Sequence, residues 1–228
     1  MKSSGRGEQS DIICPGQSGS AACISAEKTK ELPMLKRICI SLLASAMVCS
    51  AVLARDIAGV SMPESCTLGQ DNLVLNGAGL REKFSIGVDV YVGGLYLKNK
   101  TTNALQIINS DEPMVIRLCM VRNVNAQEFS ENTLAGFHES SRNLGINIGG
   151  IDSEIKRFLS VFSGSISKND VFDITWSRAE GVRVYKNFSR TPAVTIKNMT
   201  LKRALFGIWL TNRSEDKLNV LRRGMLGE

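Results

Sequence analysis

Residues 74–97 read VLNGAGLREKFSIGVDVYVGGLYL. Two β-rich runs, 80–86 and 88–97, meet at Gly87, the layout of a hairpin. In the second run Val88, Val90 and Val92 alternate with Asp89, Tyr91 and Gly93, the period of a strand with two unlike faces. Gly93-Gly94 inside it predicts a bulge or the close approach of another chain segment. A shorter run, 72–75, precedes Asn76-Gly77, which reads as a turn.

Downstream, Thr101 or Thr102 is placed to cap a short helix running through Ile108. Residues 114–121 form a strand, with Met114, Ile116, Leu118 and Met120 on one face and Val115, Arg117, Cys119 and Val121 on the other. Arg117 is expected to face solvent. The chain then turns helical. Asn125 followed by Glu128 is a cap-and-acid start, and Ala126, Phe129, Thr133, Phe137 and Leu144 carry the apolar stripe. A second amphipathic helix spans 151–162. Strands return at 171–176 and 182–185, joined around Glu180-Gly181, with a short one at 194–196. Residues 201–210 and 214–225 close the chain as helices, with Phe206 and Trp209 expected in the core. The order strands, helices, strands, helix predicts an α+β fold, a large antiparallel sheet covered on one face by helices.

The chain has 228 residues, 43 % of them apolar, and a formal net charge of +6. That composition excludes a disordered chain and a multi-span membrane protein. Residues 35–54 read LKRICISLLASAMVCSAVLA, with Lys36 and Arg37 ahead of an apolar run that ends in Val52-Leu53-Ala54. Positive end, apolar middle and small-residue site are the marks of a secretory signal, so 34–54 is expected to be a signal peptide. The alternative is a retained N-terminal anchor. Residues 1–33 read as an upstream extension without a folded role, with translation expected to start at Met34. The working domain is then 55–228, one exported, periplasmic domain of 174 residues, membrane-associated if the signal is retained. The removed part holds six basic and four acidic residues, which lowers the net charge from +6 to +4. Of six cysteines, Cys66 and Cys119 stay, either as one disulfide or as free thiols.

Several chemistries are missing. The sequence has no GxGxxG opening a helix, no GxxxxGK[ST] and no CxxC. Its single histidine, His138, cannot build a zinc site alone and reads as a surface residue on the first long helix. Neither metal nor cofactor is expected. Basic residues are scattered and aromatics fall at core periods, which argues against nucleic acid as a partner.

Asn76-Gly77-Ala78-Gly79-Leu80-Arg81 and, more than a hundred residues on, Ala204-Leu205-Phe206-Gly207-Ile208-Trp209-Leu210 resemble the chalcone isomerase-like family in its secreted bacterial branch. The stretch VIRLCMVRNVNAQEF, residues 115–129, matches in character. The resemblance covers roughly residues 59–227. It implies an open-faced β-sandwich, a large antiparallel sheet with helices packed over it. It also implies two ligand-binding positions. Arg81 matches the arginine that, in the plant enzymes, stabilises the phenolate or developing enolate of the substrate. In non-catalytic relatives the same arginine binds a fatty-acid carboxylate, whose two oxygens suit a two-donor fork. Tyr91 stands where the enzymes carry a catalytic threonine, and residues 120–150 contain no tyrosine to match the enzymes' own. That departure points away from isomerase activity. From the residues alone, Arg81 is otherwise a surface or sheet-edge residue and Tyr91 ordinary sheet packing.

Three functions follow. The first is a non-catalytic protein that binds a small apolar acid, such as a fatty acid, in a pocket with Arg81. The second is a structural or assembly factor whose pocket is filled by Tyr91 and its neighbours. The third is an intramolecular lyase, an isomerase acting on another substrate. The oligomeric state is left open.

Overall fold

The computed structural model describes residues 12–13, 54–83 and 87–228. The expected extension and signal segment therefore lie outside the described residues, apart from Ile12–Ile13 and Ala54.

Among the described residues, ten strands build two sheets. Ile12–Ile13 (β1) pair with Ser65–Leu68 (β4) at one edge. From β4 the large sheet runs as an antiparallel meander: Asp71–Lys83 (β5), Val88–Leu97 (β6), Met114–Met120 (β7), Val171–Ser177 (β8), Gly181–Lys186 (β9) and Val194–Ile196 (β10). Ala54–Ile57 (β2) and Val60–Pro63 (β3) form a separate two-stranded ribbon. The helices are Ala104–Asn109 (α1), Ala126–Leu144 (α2), Asp152–Leu159 (α3), Met199–Leu210 (α4) and Asp216–Leu226 (α5). This is the expected α+β open-faced sandwich, and no helix among the described residues is long and apolar enough to cross a membrane.

The alternating strand residues sort as expected. Met114, Ile116, Leu118 and Met120 join Phe172, Ile174 and Trp176 in the main core under the helices. Phe129 of α2 packs on Phe162 just beyond α3, and Phe162 on Phe172 of β8, each at a centroid distance of 5.0 Å, which fixes the helical layer onto the strands. Asn125 caps α2 by accepting from the Glu128 amide at 2.9 Å, as its spacing predicts. The cap of α1 is Asn103 rather than a threonine, with its Oδ1 accepting from Gln106.

Distant packing overturns one expectation here and decides between the two alternatives of another. Asn76-Gly77 is not a turn, because β5 runs straight through it with a shift of register. The Asn76 side chain donates to the Met225 carbonyl at the end of α5 and accepts from the Thr101 amide, at 3.0 and 2.8 Å. Gly77 faces the same helix end so closely that a Cβ there would lie 2.2 Å from the Gly224 carbonyl oxygen. In β6, Gly94 likewise leaves room for the Met62 methyl of β3, so the pair Gly93-Gly94 marks close approach and not a bulge.

Arg117 is not on the solvent face. It is 2 % exposed and makes a two-bond pair with Asp173, directly opposite it on β8, at 2.7 Å each. The far side of the sheet carries its own smaller core, in which Met62, Cys66, Tyr96 and Cys119 take part. Cys66 and Cys119 are buried and form no disulfide. They sit on β4 and β7 with two strands between them, a separation of about 14 Å that no disulfide spans.

Lys202 of α4 is fully buried, and its ammonium donates to the carbonyls of Ile107, Ile108 and Ser110 at 2.8–2.9 Å. A cation there closes the C-terminal end of α1, where the last carbonyls lack helical partners. Burial pushes its pKa down to about 7, against the pull of Asp111.

Candidate functional site

The hairpin places Arg81 and Tyr91 directly opposite one another near its turn. Residues opposite one another across an antiparallel pair share a face, and Tyr91 belongs to the core on the helix side. A cavity of about 610 Å³ opens there, between the ends of β5 and β6, α2, α4 and the segment joining α4 to α5. Both sequence-predicted residues line it.

Its floor is aromatic. Tyr91 is 7 % exposed, Phe129 8 % and Trp209 4 %. The Trp209 indole N–H donates to the Tyr91 hydroxyl oxygen at 3.0 Å. The hydroxyl's own proton has no acceptor among the described residues, which leaves it as a donor toward the cavity. Burial raises the phenol's pKa above 10.0, although the Trp209 hydrogen bond and the charges of Arg81 and Arg213 oppose this. Tyr91 is therefore a neutral donor at physiological pH.

The rim is charged. Arg81 gives both ends of its fork to Glu215, at 2.8 and 2.9 Å, and also donates to the Glu82 carbonyl. Lys83 pairs with Glu128 at the start of α2. Arg213 pairs with Glu139 of α2 at 2.8 Å. Arg122, just beyond β7, is exposed and has no acid partner among the described residues, so the rim carries one cation in excess.

The α4–α5 segment is held from several sides. Glu139 accepts from the Ser214 amide at 2.6 Å and from Arg213 Nε at 2.9 Å. Asn219 clasps the Arg213 backbone in both directions at 2.8 Å. Burial pushes the Glu139 carboxyl up, but the Ser214 amide and the Arg213 charge outweigh it and hold the pKa below 4.5. The unfolded chain thus binds the extra proton first, and this contribution to stability is lost as pH falls from 4.5 through the lower folded value. Thermal unfolding of the wild-type protein should weaken more steeply below pH 4.5 than that of Glu139→Gln. Parallel slopes would refute this.

Sequence reasoning placed Trp209 in the core. It is buried, but it also floors the cavity and holds the tyrosine. No pattern in the 211–215 segment marks Arg213 or Glu215, and Glu139 lies off the apolar stripe of α2, so none of the three stands out in the sequence. His138 is exposed on α2, as expected, and lies outside the cavity.

A family model described as chalcone isomerase-like matches residues 54–227. Among solved structures, the crystal structure of the fatty-acid-binding protein of Arabidopsis thaliana is similar in fold, with a TM-score of 0.55 and 21 % identity. The match covers 76 % of this chain and 95 % of that one. Comparison with curated proteins gives no match.

Proposed function

The chain belongs to the chalcone isomerase-like family, and on that premise we propose that it is a non-catalytic protein binding a small apolar carboxylate, such as a fatty acid, in the Arg81–Tyr91 cavity. One observation carries the reading: an aromatic floor, a free phenolic donor and a cationic rim meet around one volume of about 610 Å³. Small-molecule sites occupy about 300–1,000 Å³ and are mostly apolar with a few placed polar groups. An acyl chain lies over Phe129, Trp209 and Leu218, where each buried methylene contributes about 0.8 kcal/mol. Its head accepts from Tyr91 and meets the guanidinium.

The fatty-acid-binding protein that shares this fold makes fatty acids the ligand class to test first. Tyr91 in place of a threonine supports binding over isomerisation. A domain that had filled its pocket with Tyr91 would leave no such volume, which favours binding over a purely structural role. The signal-like run of residues 35–54 supports export to the periplasm, and a mature chain starting at Arg55 is the test.

Calorimetric titration of the protein with dodecanoate should give saturable one-to-one binding. Tyr91→Phe removes one hydrogen bond to a charged head and should weaken it about tenfold, and Arg81→Ala by at least as much. Equal affinity in all three proteins, or none in the wild type, would sink the proposal.

A further inference from the structure

The guanidinium that should receive a ligand carboxylate already holds one. Glu215 meets Arg81 through two parallel bonds of 2.8 and 2.9 Å, the geometry a fatty-acid head would take. We propose that Glu215 is the specificity-determining residue of the pocket: a ligand carboxylate reaches the Arg81 fork only by exchanging with it, whereas an uncharged head group binds at Tyr91 without that exchange.

Three observations carry this. Glu215 is the N-cap residue of α5, yet its side chain makes no capping bond, so its carboxylate is committed to Arg81. Its backbone is fixed by the Glu139–Arg213 and Asn219 contacts on the preceding residues, so the pairing is held from outside the cavity. The two ends of the pair differ in exposure: the Arg81 side chain is 13 % exposed and that of Glu215 42 %. The carboxylate can therefore swing to water while the arginine stays in place. The phenolic donor of Tyr91 lies on the same wall and is not consumed by the pair. Two head-group positions thus exist side by side, one open and one occupied from within.

The inference rests on the pocket reading above, and its test separates the two. Dodecanoate and dodecan-1-ol are titrated into the wild-type chain and into E215Q. Loss of the competing charge should tighten dodecanoate about tenfold and change dodecan-1-ol less than twofold. Because Glu215 makes no capping bond, E215A serves as a second variant with the same expectation. In an Arg81→Ala background the gain should vanish, since no fork remains to be freed. If dodecanoate binds wild type and E215Q equally, or if the gain persists without Arg81, Glu215 does not set the specificity and the pocket reading stands. If neither probe binds the wild type or E215Q, the pocket reading falls, and this proposal with it.

Discussion

Asp173→Ala is expected to cost about 3–5 kcal/mol of unfolding free energy, the scale on which removing one partner of a buried ion pair destabilises a protein. Asp173 is 1 % exposed and meets the Arg117 guanidinium through two bonds of 2.7 Å. The rings of Tyr96 and Phe188 lie 5.7 and 5.1 Å from the same guanidinium. Alanine leaves that charge in the second core without the carboxylate that meets it. Urea denaturation should show a lower midpoint at unchanged slope. The loss belongs to the broken pair and not to lost polarity. Replacing both residues together, Arg117→Met with Asp173→Leu, should therefore recover most of it. A single variant that unfolds within about 1 kcal/mol of wild type would contradict the burial described.

The second large effect is expected at Gly77→Ala. The added methyl would sit 2.2 Å from the Gly224 carbonyl oxygen, 2.8 Å from the Gly227 nitrogen and 2.9 Å from the Met225 carbonyl oxygen. All three are backbone atoms, so no rotamer change relieves the contact. Either β5 or the end of α5 must move, and overpacking of this kind costs about 1–3 kcal/mol. The upper end is expected here. Gly150→Ala is the control, because a Cβ there meets nothing within 4 Å. If the two substitutions lower the unfolding temperature equally, α5 does not lie on β5 as described.

The same two places show where sequence reasoning stops. Alternation on β7 and β8 correctly divided each strand into two faces, and the core under the helices followed from it. What alternation could not show is that the second face is also covered. The cover comes from Met62 on the β2–β3 ribbon and from Phe188 beyond β9, neither of which carries a periodic signal. Arg117 therefore read as solvated. Asn76-Gly77 carries a strong local turn signal, but Asn76 donates its hydrogen bond to a segment 149 residues away, and tertiary packing overrides the local preference.

The pocket was half legible. Arg81 and Tyr91 fall opposite one another because a hairpin folds about Gly87, and the sequence pattern contains that hairpin. Trp209 sits on the apolar stripe of α4, where period alone cannot distinguish a core residue from a cavity floor. Glu215 lies in a short polar connection, and only three-dimensional closure of that connection onto β5 brings it to Arg81.

The central claim is that an acyl ligand occupies the cavity above Tyr91 and Trp209. The chain has two tryptophans, which makes the claim directly readable. Trp209 lines the cavity, while Trp176 lies at the end of β8 beside Lys202 and outside it. Titration of ¹⁵N-labelled protein with dodecanoate should move the Trp209 indole N–H resonance saturably and leave that of Trp176 in place, with Trp209→Phe identifying the signal. A resonance of Trp209 that stays fixed at ligand saturation, or that moves no more than Trp176, would contradict the account.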